Sequence, residues 1–139
     1  MKIKLTAAFI IFFSAVYGWA EDGKIIVIVN KEGPEARASK SLIKKIYSGK
    51  IQSWEDGNLI KACDQKLHKS AAQAFLSGYL DKSVEEYQAL WMEKMLSGDA
   101  SPPKSMEGDE EVIEFVSRNK GAIGYINEGA LTDEVKKIE

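Results

Sequence analysis

The amino-acid sequence predicts an α/β fold in which a small mixed sheet is flanked by helices. Residues 24–29 form a lysine followed by an unbroken run of Ile and Val. A short segment that is apolar on both faces is typical of a central strand covered by helices on both sides. Apolar residues then recur at helical spacing from Leu42 to Tyr47, and a late apolar segment at 121–126 is flanked by glycines. Strand and helix patterns that alternate in this way indicate the α/β class.

Turn and breaker residues define the elements of the first half. A helix is predicted over residues 40–48, where Gly49 can end it. A tight turn containing Asp-Gly-Asn follows, and a second strand is predicted over 59–63. The sheet needs one or two further short strands, which we expect near residues 103–106.

Two predicted helices follow in the middle of the chain. Ser70 is expected to cap the helix that carries the apolar residues of 71–80. Ser83 and Glu86 form a capping box for the next helix, which ends near Gly98. Its stripe at helical spacing is interpreted as core packing, and this stripe comprises Val84, Tyr87, Leu90, Trp91 and Met95.

The last third is predicted to contain a helix over 109–118, the strand at 121–126 and a weak helix from about residue 130. Acidic residues at the start of the 109–118 segment favour a helix N-terminus there. The full order is therefore β-α-β-α-α-α-β-α, without internal repeats.

The first twenty residues have the layout of a secretory signal peptide. Lys2 and Lys4 precede an apolar run over residues 5–16, and small residues end at Ala20 before two acidic residues. The run is shorter than the roughly 20 residues that span a bilayer. We therefore expect residues 1–20 to be a cleaved signal peptide, residues 21–139 to form one domain, and the mature protein to be periplasmic.

Composition excludes several classes of function. The net charge of −2 does not favour a nucleic-acid partner. One cysteine and one histidine provide no metal-ligand spacing, so we expect no metal or cofactor. The single cysteine, Cys63, lies in an apolar stretch and is interpreted as a buried small residue. His68 has Asp64 and Ser70 nearby, but nothing resembles a nucleophile motif, so no catalytic residues are predicted.

One segment does favour ligand binding. The helix that begins near Ser70 would present free backbone N–H groups, and Lys66, His68 and Lys69 directly precede it. Helix N-termini bind anions through those groups and through the helix dipole. The alternative is an ordinary serine cap on a surface helix.

Two segments resemble phosphate-binding proteins of ABC transporters. Residues 46–57, IYSGKIQSWEDG, are similar to a helix followed by G-K-I-x-x-W-x-x-G, and residues 116–126, VSRNKGAIGYI, are similar to V-x-x-x-x-G-A-I-G-Y-V. Order and spacing also agree over residues 24–127. The resemblance implies a type II periplasmic-binding-protein fold. Full-length relatives have two lobes, and this chain resembles the short form that has a single lobe. Their Ser-Gly-Thr phosphate loop is absent here, and Lys69 and Ser70 occupy its place, next to His68 and Ala71.

Two functions follow from this resemblance. The chain is expected to bind phosphate or a similar small anion for ABC-type transport, with a homodimer or a partner protein forming the second wall of the site. The alternative is a periplasmic adaptor that keeps the lobe fold without its solute and docks on a membrane transporter or another envelope protein. Trp54 is the candidate contact residue for that role, unless it packs in the core.

Overall fold

The computed structural model describes residues 23–33 and 39–138. The predicted signal peptide lies outside the described residues. No helix in the described ranges has the length and apolar character needed to cross a membrane. The elements in chain order are β1 (Ile25–Asn30), α1 (Lys40–Tyr47), β2 (Lys61–Gln65), α2 (Ser70–Phe75) with a π-helical turn (Leu76–Leu80), α3 (Val84–Ser97), β3 (Lys104–Met106), α4 (Asp109–Arg118), β4 (Ala122–Asn127), a 3-10 turn (Glu128–Ala130) and β5 (Val135–Lys137).

The strands form one mixed sheet in the order β3-β2-β4-β1-β5. β2 runs parallel to both β3 and β4, whereas β1 pairs antiparallel with β4 and with β5. The predicted fold class, a small mixed sheet flanked by helices, is confirmed.

The β-branched run of β1 is central because both of its faces are covered. Val27 and Val29 belong to the core cluster that also contains the buried residues of α1, α2 and α3. Ile26 and Ile28 point to the other cluster, which is built around α4. A strand that is covered on both faces carries apolar residues at successive positions instead of alternating apolar and polar ones. The continuous run of Ile and Val therefore predicts a central strand.

The helix boundaries agree closely with the prediction, and the strand boundaries shift slightly. α4 occupies the predicted 109–118 span. α3 ends at Ser97, and its C-cap is Gly98, whose φ of 74° lies in the left-handed region that glycine adopts without strain. The second strand begins at Lys61, two residues later than predicted. The short strand expected near residues 103–106 is β3.

The helix predicted from about residue 130 is wrong. This segment forms the 3-10 turn and then β5, which pairs with β1 through Val29↔Lys136 and its neighbours. Val135 and Ile138 are buried in this arrangement. The open edge of β1 offers backbone hydrogen bonds and apolar cover together, and this tertiary contact outweighs a weak local helix preference.

Candidate functional site

The candidate site lies where two parallel strands end. The carboxyl ends of β2 and β3 meet at one edge of the sheet because these strands run in the same direction. Residues 66–69 follow β2, and Glu107 and Gly108 follow β3. The backbone N–H of Lys66 donates to the carbonyl of Met106 at 3.0 Å and ties the two loops together. In α/β sheets, ligands bind in the crevice outside such strand ends.

The start of α2 has no side-chain cap. Lys69 is the N-cap residue, with extended backbone angles and no capping hydrogen bond from its side chain. The expectation that Ser70 caps this helix is wrong, because Ser70 is already the first helical residue. The first N–H groups of a helix have no partner within the helix, and the N-cap side chain of α2 accepts a hydrogen bond from none of them. α2 continues directly into the π-helical turn at Leu76–Leu80.

The four predicted site residues are consecutive and stay together in this loop. His68 and Ser70 are exposed, Lys69 is half-buried and the side chain of Ala71 is buried. The Lys69 ammonium reaches towards the next loop, since a Cβ atom added to Gly108 would lie 3.8 Å from Nζ. Within the described residues Lys69 has no ion pair.

The charged groups around the loop differ between the starts of α2 and α4. Lys66 forms an ion pair with Glu107 at 3.6 Å. The backbone N–H of Glu107 donates to Glu111 at 2.8 Å, so the start of α4 receives carboxylates from its own chain. The uncapped start of α2, next to Lys69, is therefore the more favourable of the two positions for an external anion.

A buried network behind the loop holds the end of β2. The carboxyl group of Asp64 accepts hydrogen bonds from the hydroxyls of Tyr125 and Tyr87, the latter at 2.6 Å, and from the backbone N–H of Gln65. Burial raises the pKa of Asp64, and these hydrogen bonds act in the opposite direction. The Gln65 amide donates to Asp109 at 2.8 Å and to the Tyr125 carbonyl. The network anchors the loop to β4 and α4.

Sequence reasoning missed this network as part of the site. Its signals were an aspartate directly after the buried Cys63 and tyrosines at apolar positions of a helix and a strand. Asp64 faces the tyrosine hydroxyls and lies 4% exposed, whereas His68 is exposed at the surface. In the described residues Asp64 and His68 therefore lie in separate environments and form no hydrogen-bonded pair.

Trp54 is not a surface contact. Its side chain is 6% exposed, and its indole N–H donates to the Gly121 carbonyl at 3.0 Å. The proposed role of Trp54 as a docking residue is therefore corrected to core packing. The bond also joins the two segments on which the resemblance to phosphate-binding proteins rested.

The fold is that of one lobe of a periplasmic-binding-protein-like domain, and the candidate site lies at its strand ends. The chain belongs to the PBP superfamily domain family, whose model matches residues 22–138. No curated protein sequence matches the chain.

Solved structures show the same fold. An ABC-type phosphate transport receptor from Vibrio cholerae is 18% identical, with a TM-score of 0.66 over 83% of this chain and 45% of that one. A putative phosphate ABC transporter substrate-binding protein from Clostridium perfringens, solved with bound phosphate, is 23% identical, with a TM-score of 0.67 over 83% and 44%. PstS from Borrelia burgdorferi is 18% identical, with a TM-score of 0.64 over 83% and 46%. The predicted resemblance is confirmed, and this chain spans less than half the length of these structures.

Proposed function

We propose that the mature chain is a periplasmic lobe that binds a small anion of the phosphate class and passes it to a membrane transporter. In this proposal residues 1–20 are a cleaved signal peptide and residues 21–139 form the lobe. The observation that carries it is the start of α2, which has no side-chain cap, with Lys69 beside it, for which the described residues provide no ion pair, in a fold shared with phosphate transport proteins. The protein acts by binding and carries out no reaction.

Each residue of the loop has a distinct part in this proposal. The backbone N–H groups of Ser70 and Ala71 donate to the anion, as at other helix N-termini. The Ser70 hydroxyl adds a donor, and Lys69 supplies the charge. His68 lies at the exposed rim. Because the loop is open on one side, a second copy or a partner protein supplies the opposite wall and excludes water.

Calorimetric titration of residues 21–139 with inorganic phosphate tests the proposal. Lys69→Ala is expected to weaken binding at least tenfold because it removes a lysine ammonium that has no ion pair within the described residues, and Ser70→Ala to weaken it less. Lys50→Ala, at an exposed lysine elsewhere, is the matched control and should bind as the parent does. An absence of heat at millimolar phosphate, at low and high protein concentration, would refute anion binding.

A second candidate function is the adaptor, in which the lobe contacts another envelope protein. The observation that favours it is the exposed apolar side of α3, where Met92, Met95 and Leu96 are 65%, 59% and 84% exposed. The two functions separate experimentally, because one requires an intact Lys69 loop and the other an intact α3.

A further inference from the structure

A cavity of about 420 Å³ lies where β2 and β3 begin. Its walls include residues 59–62, at the start of β2, and residues 100–103, which lead into β3. The candidate anion loop at residues 68–71 follows the other end of β2, so the two places are separated by the length of that strand. The volume falls within the range of about 300–1,000 Å³ that small-molecule sites occupy.

The two segments that flank the cavity are not joined to each other. β2 and β3 begin to pair at Cys63 and Lys104, and in the described part of the chain no backbone hydrogen bond links residues 59–62 to residues 100–103. Pro102 and Pro103 have no backbone N–H to donate. A ligand can therefore lie between the two segments without displacing a hydrogen bond from one to the other.

Most of the cavity wall is apolar. The large apolar side chains that line it are Ile46, Ile51, Leu59, Ile60, Trp91 and Phe115. The Leu59 side chain is 69% exposed, so its apolar surface is available to a ligand. Covering this surface favours a ligand with an apolar body of its own, which an inorganic anion does not have.

The charged residues of the wall are both lysines. Lys61 and Lys104 line the cavity, whereas none of the described aspartates and glutamates does. Neither lysine forms an ion pair with a described residue. Lys104 is in register with Cys63, and Lys61 precedes Cys63 by two positions, so both side chains lie on the face of the sheet that packs against α4.

The contacts of the two ammonium groups leave donors for an anion. The Lys104 ammonium lies 5.6 Å from the centre of the Phe115 ring, which is part of the cavity wall. A cation over an aromatic face is attracted to the ring and uses no hydrogen-bond acceptor there. The Lys61 ammonium donates to the Asn119 side-chain oxygen at 3.3 Å, and an ammonium has three donors. Both lysines can therefore bond to a carboxylate at the α4 side of the cavity.

We propose that this cavity binds a small carboxylate with an apolar body, of the kind that a medium-chain fatty acid has. The carboxylate accepts charge-assisted hydrogen bonds from Lys61 and Lys104, and the apolar chain packs against Leu59 and Phe115. A cationic ligand is disfavoured, because it meets two ammonium groups and no acidic side chain of the wall. This inference does not depend on phosphate binding at the start of α2.

Calorimetric titration of residues 21–139 with octanoate tests the proposal, with acetate and octanamide as matched ligands. Acetate keeps the charge without the chain, and octanamide keeps the chain without the charge. Octanoate is expected to bind about tenfold more tightly than either, or better, because it uses both parts of the site. Equal affinities for octanoate and octanamide, or no heat with millimolar octanoate, would overturn the proposal.

A pair of lysine variants tests the charged part of the site. Lys61→Gln with Lys104→Gln is expected to weaken octanoate binding about tenfold and to leave octanamide binding unchanged. Lys31→Gln with Lys45→Gln removes the same charge from exposed lysines outside the cavity and should bind octanoate as the parent does. An equal loss in both double variants would mean that only net charge matters, and the proposal would be wrong.

The apolar part of the site is tested at Leu59. Leu59→Gln is expected to weaken octanoate and octanamide alike, because both ligands lose the same apolar contact. Leu131→Gln, at an exposed leucine outside the cavity, is the control and should weaken neither. Circular dichroism melts verify that each variant folds. Unchanged octanoate binding by Leu59→Gln would contradict the placement of the chain in this cavity.

Competition with inorganic phosphate separates this cavity from the candidate anion loop. Millimolar phosphate should not displace octanoate, and the Lys61→Gln with Lys104→Gln variant should give the same phosphate titration as the parent. Displacement of octanoate by phosphate would place octanoate at the loop before α2, and the proposal would be overturned. A failure of phosphate to bind the parent would refute the proposed function and leave octanoate binding as a separate result.

Discussion

The hydrogen bond between Trp54 and Gly121 makes a quantitative prediction about how the two similarity segments stabilise the fold. Trp54 lies in the turn after α1, and Gly121 directly precedes β4, 67 residues further along the chain. Trp54→Phe keeps an aromatic ring in the core but removes the indole N–H and part of the buried ring. The substitution therefore tests whether this contact holds the turn against the sheet.

The expected loss follows from the local contacts. The Gly121 carbonyl keeps its second donor, the Lys61 N–H at 2.9 Å, so the acceptor is not left unsatisfied. The lost hydrogen bond then costs its net value of about 0.5–1.5 kcal/mol. The smaller ring removes buried apolar volume worth about two methylene groups, at roughly 0.8 kcal/mol each. The free energy of unfolding should therefore fall by about 2–3 kcal/mol.

Urea denaturation followed by far-UV circular dichroism measures this change, since tryptophan fluorescence would itself be altered by the substitution. Glu55→Gln, at the exposed neighbouring position, is the control and should change the free energy of unfolding by less than about 0.5 kcal/mol. A loss for Trp54→Phe within that same limit would show that Trp54 does not stabilise the turn, and the reasoning would be wrong.

Three further predictions concern the buried core. Gly124→Ala should lower the free energy of unfolding by about 1–3 kcal/mol in urea denaturation, because an added Cβ would lie 2.6 Å from Val112 Cγ1 and 2.7 Å from the Cys63 sulfur; unchanged stability would contradict this packing. Burial raises the pKa of the Cys63 thiol to about 12, so a thiol reagent at pH 8 should modify Cys63 only after unfolding, and rapid labelling of the folded protein would contradict its burial. Burial also raises the pKa of Asp64, so the folded state binds the proton more tightly than the unfolded state, and this residue's contribution to stability is lost as pH rises from about 4 through the folded-state pKa. Asp64→Asn should remove that pH dependence from urea midpoints measured between pH 4 and 8, and an identical pH profile in both proteins would refute it.

Local patterns predicted most of the fold. The β-branched run of β1 and the apolar spacing of α1 and α4 are properties of adjacent residues, and the structure confirms these elements. The capping serine of α3 is equally local, since Ser83 accepts the Glu86 N–H at 3.1 Å. The candidate anion loop could be proposed from the sequence because its residues, 68–71, are consecutive in the chain, and its role as a binding site stays a prediction.

The errors concern segments whose state depends on distant partners. Residues 135–137 have no strong strand pattern, and they form β5 because the edge of β1 is free to pair with them. Ser70 was expected to be a cap, but the backbone turn that places Lys69 at that position is held by the bond from Lys66 to Met106 of another strand. Met95 follows the spacing of a core residue, yet it is 59% exposed because none of the described elements packs over that side of α3.

The sequence by itself determined the α/β class, the central strand and the spans of α1, α3 and α4. Each of these depends on the periodicity and turn preferences of neighbouring residues, which the chain carries locally. Only the tertiary structure decided that Trp54 is buried against Gly121, that Asp64 is enclosed by two tyrosines, and that α3 has an uncovered apolar side. These features arise from contacts between segments distant in the chain, and the same residue pattern is compatible with burial or exposure until those segments pack.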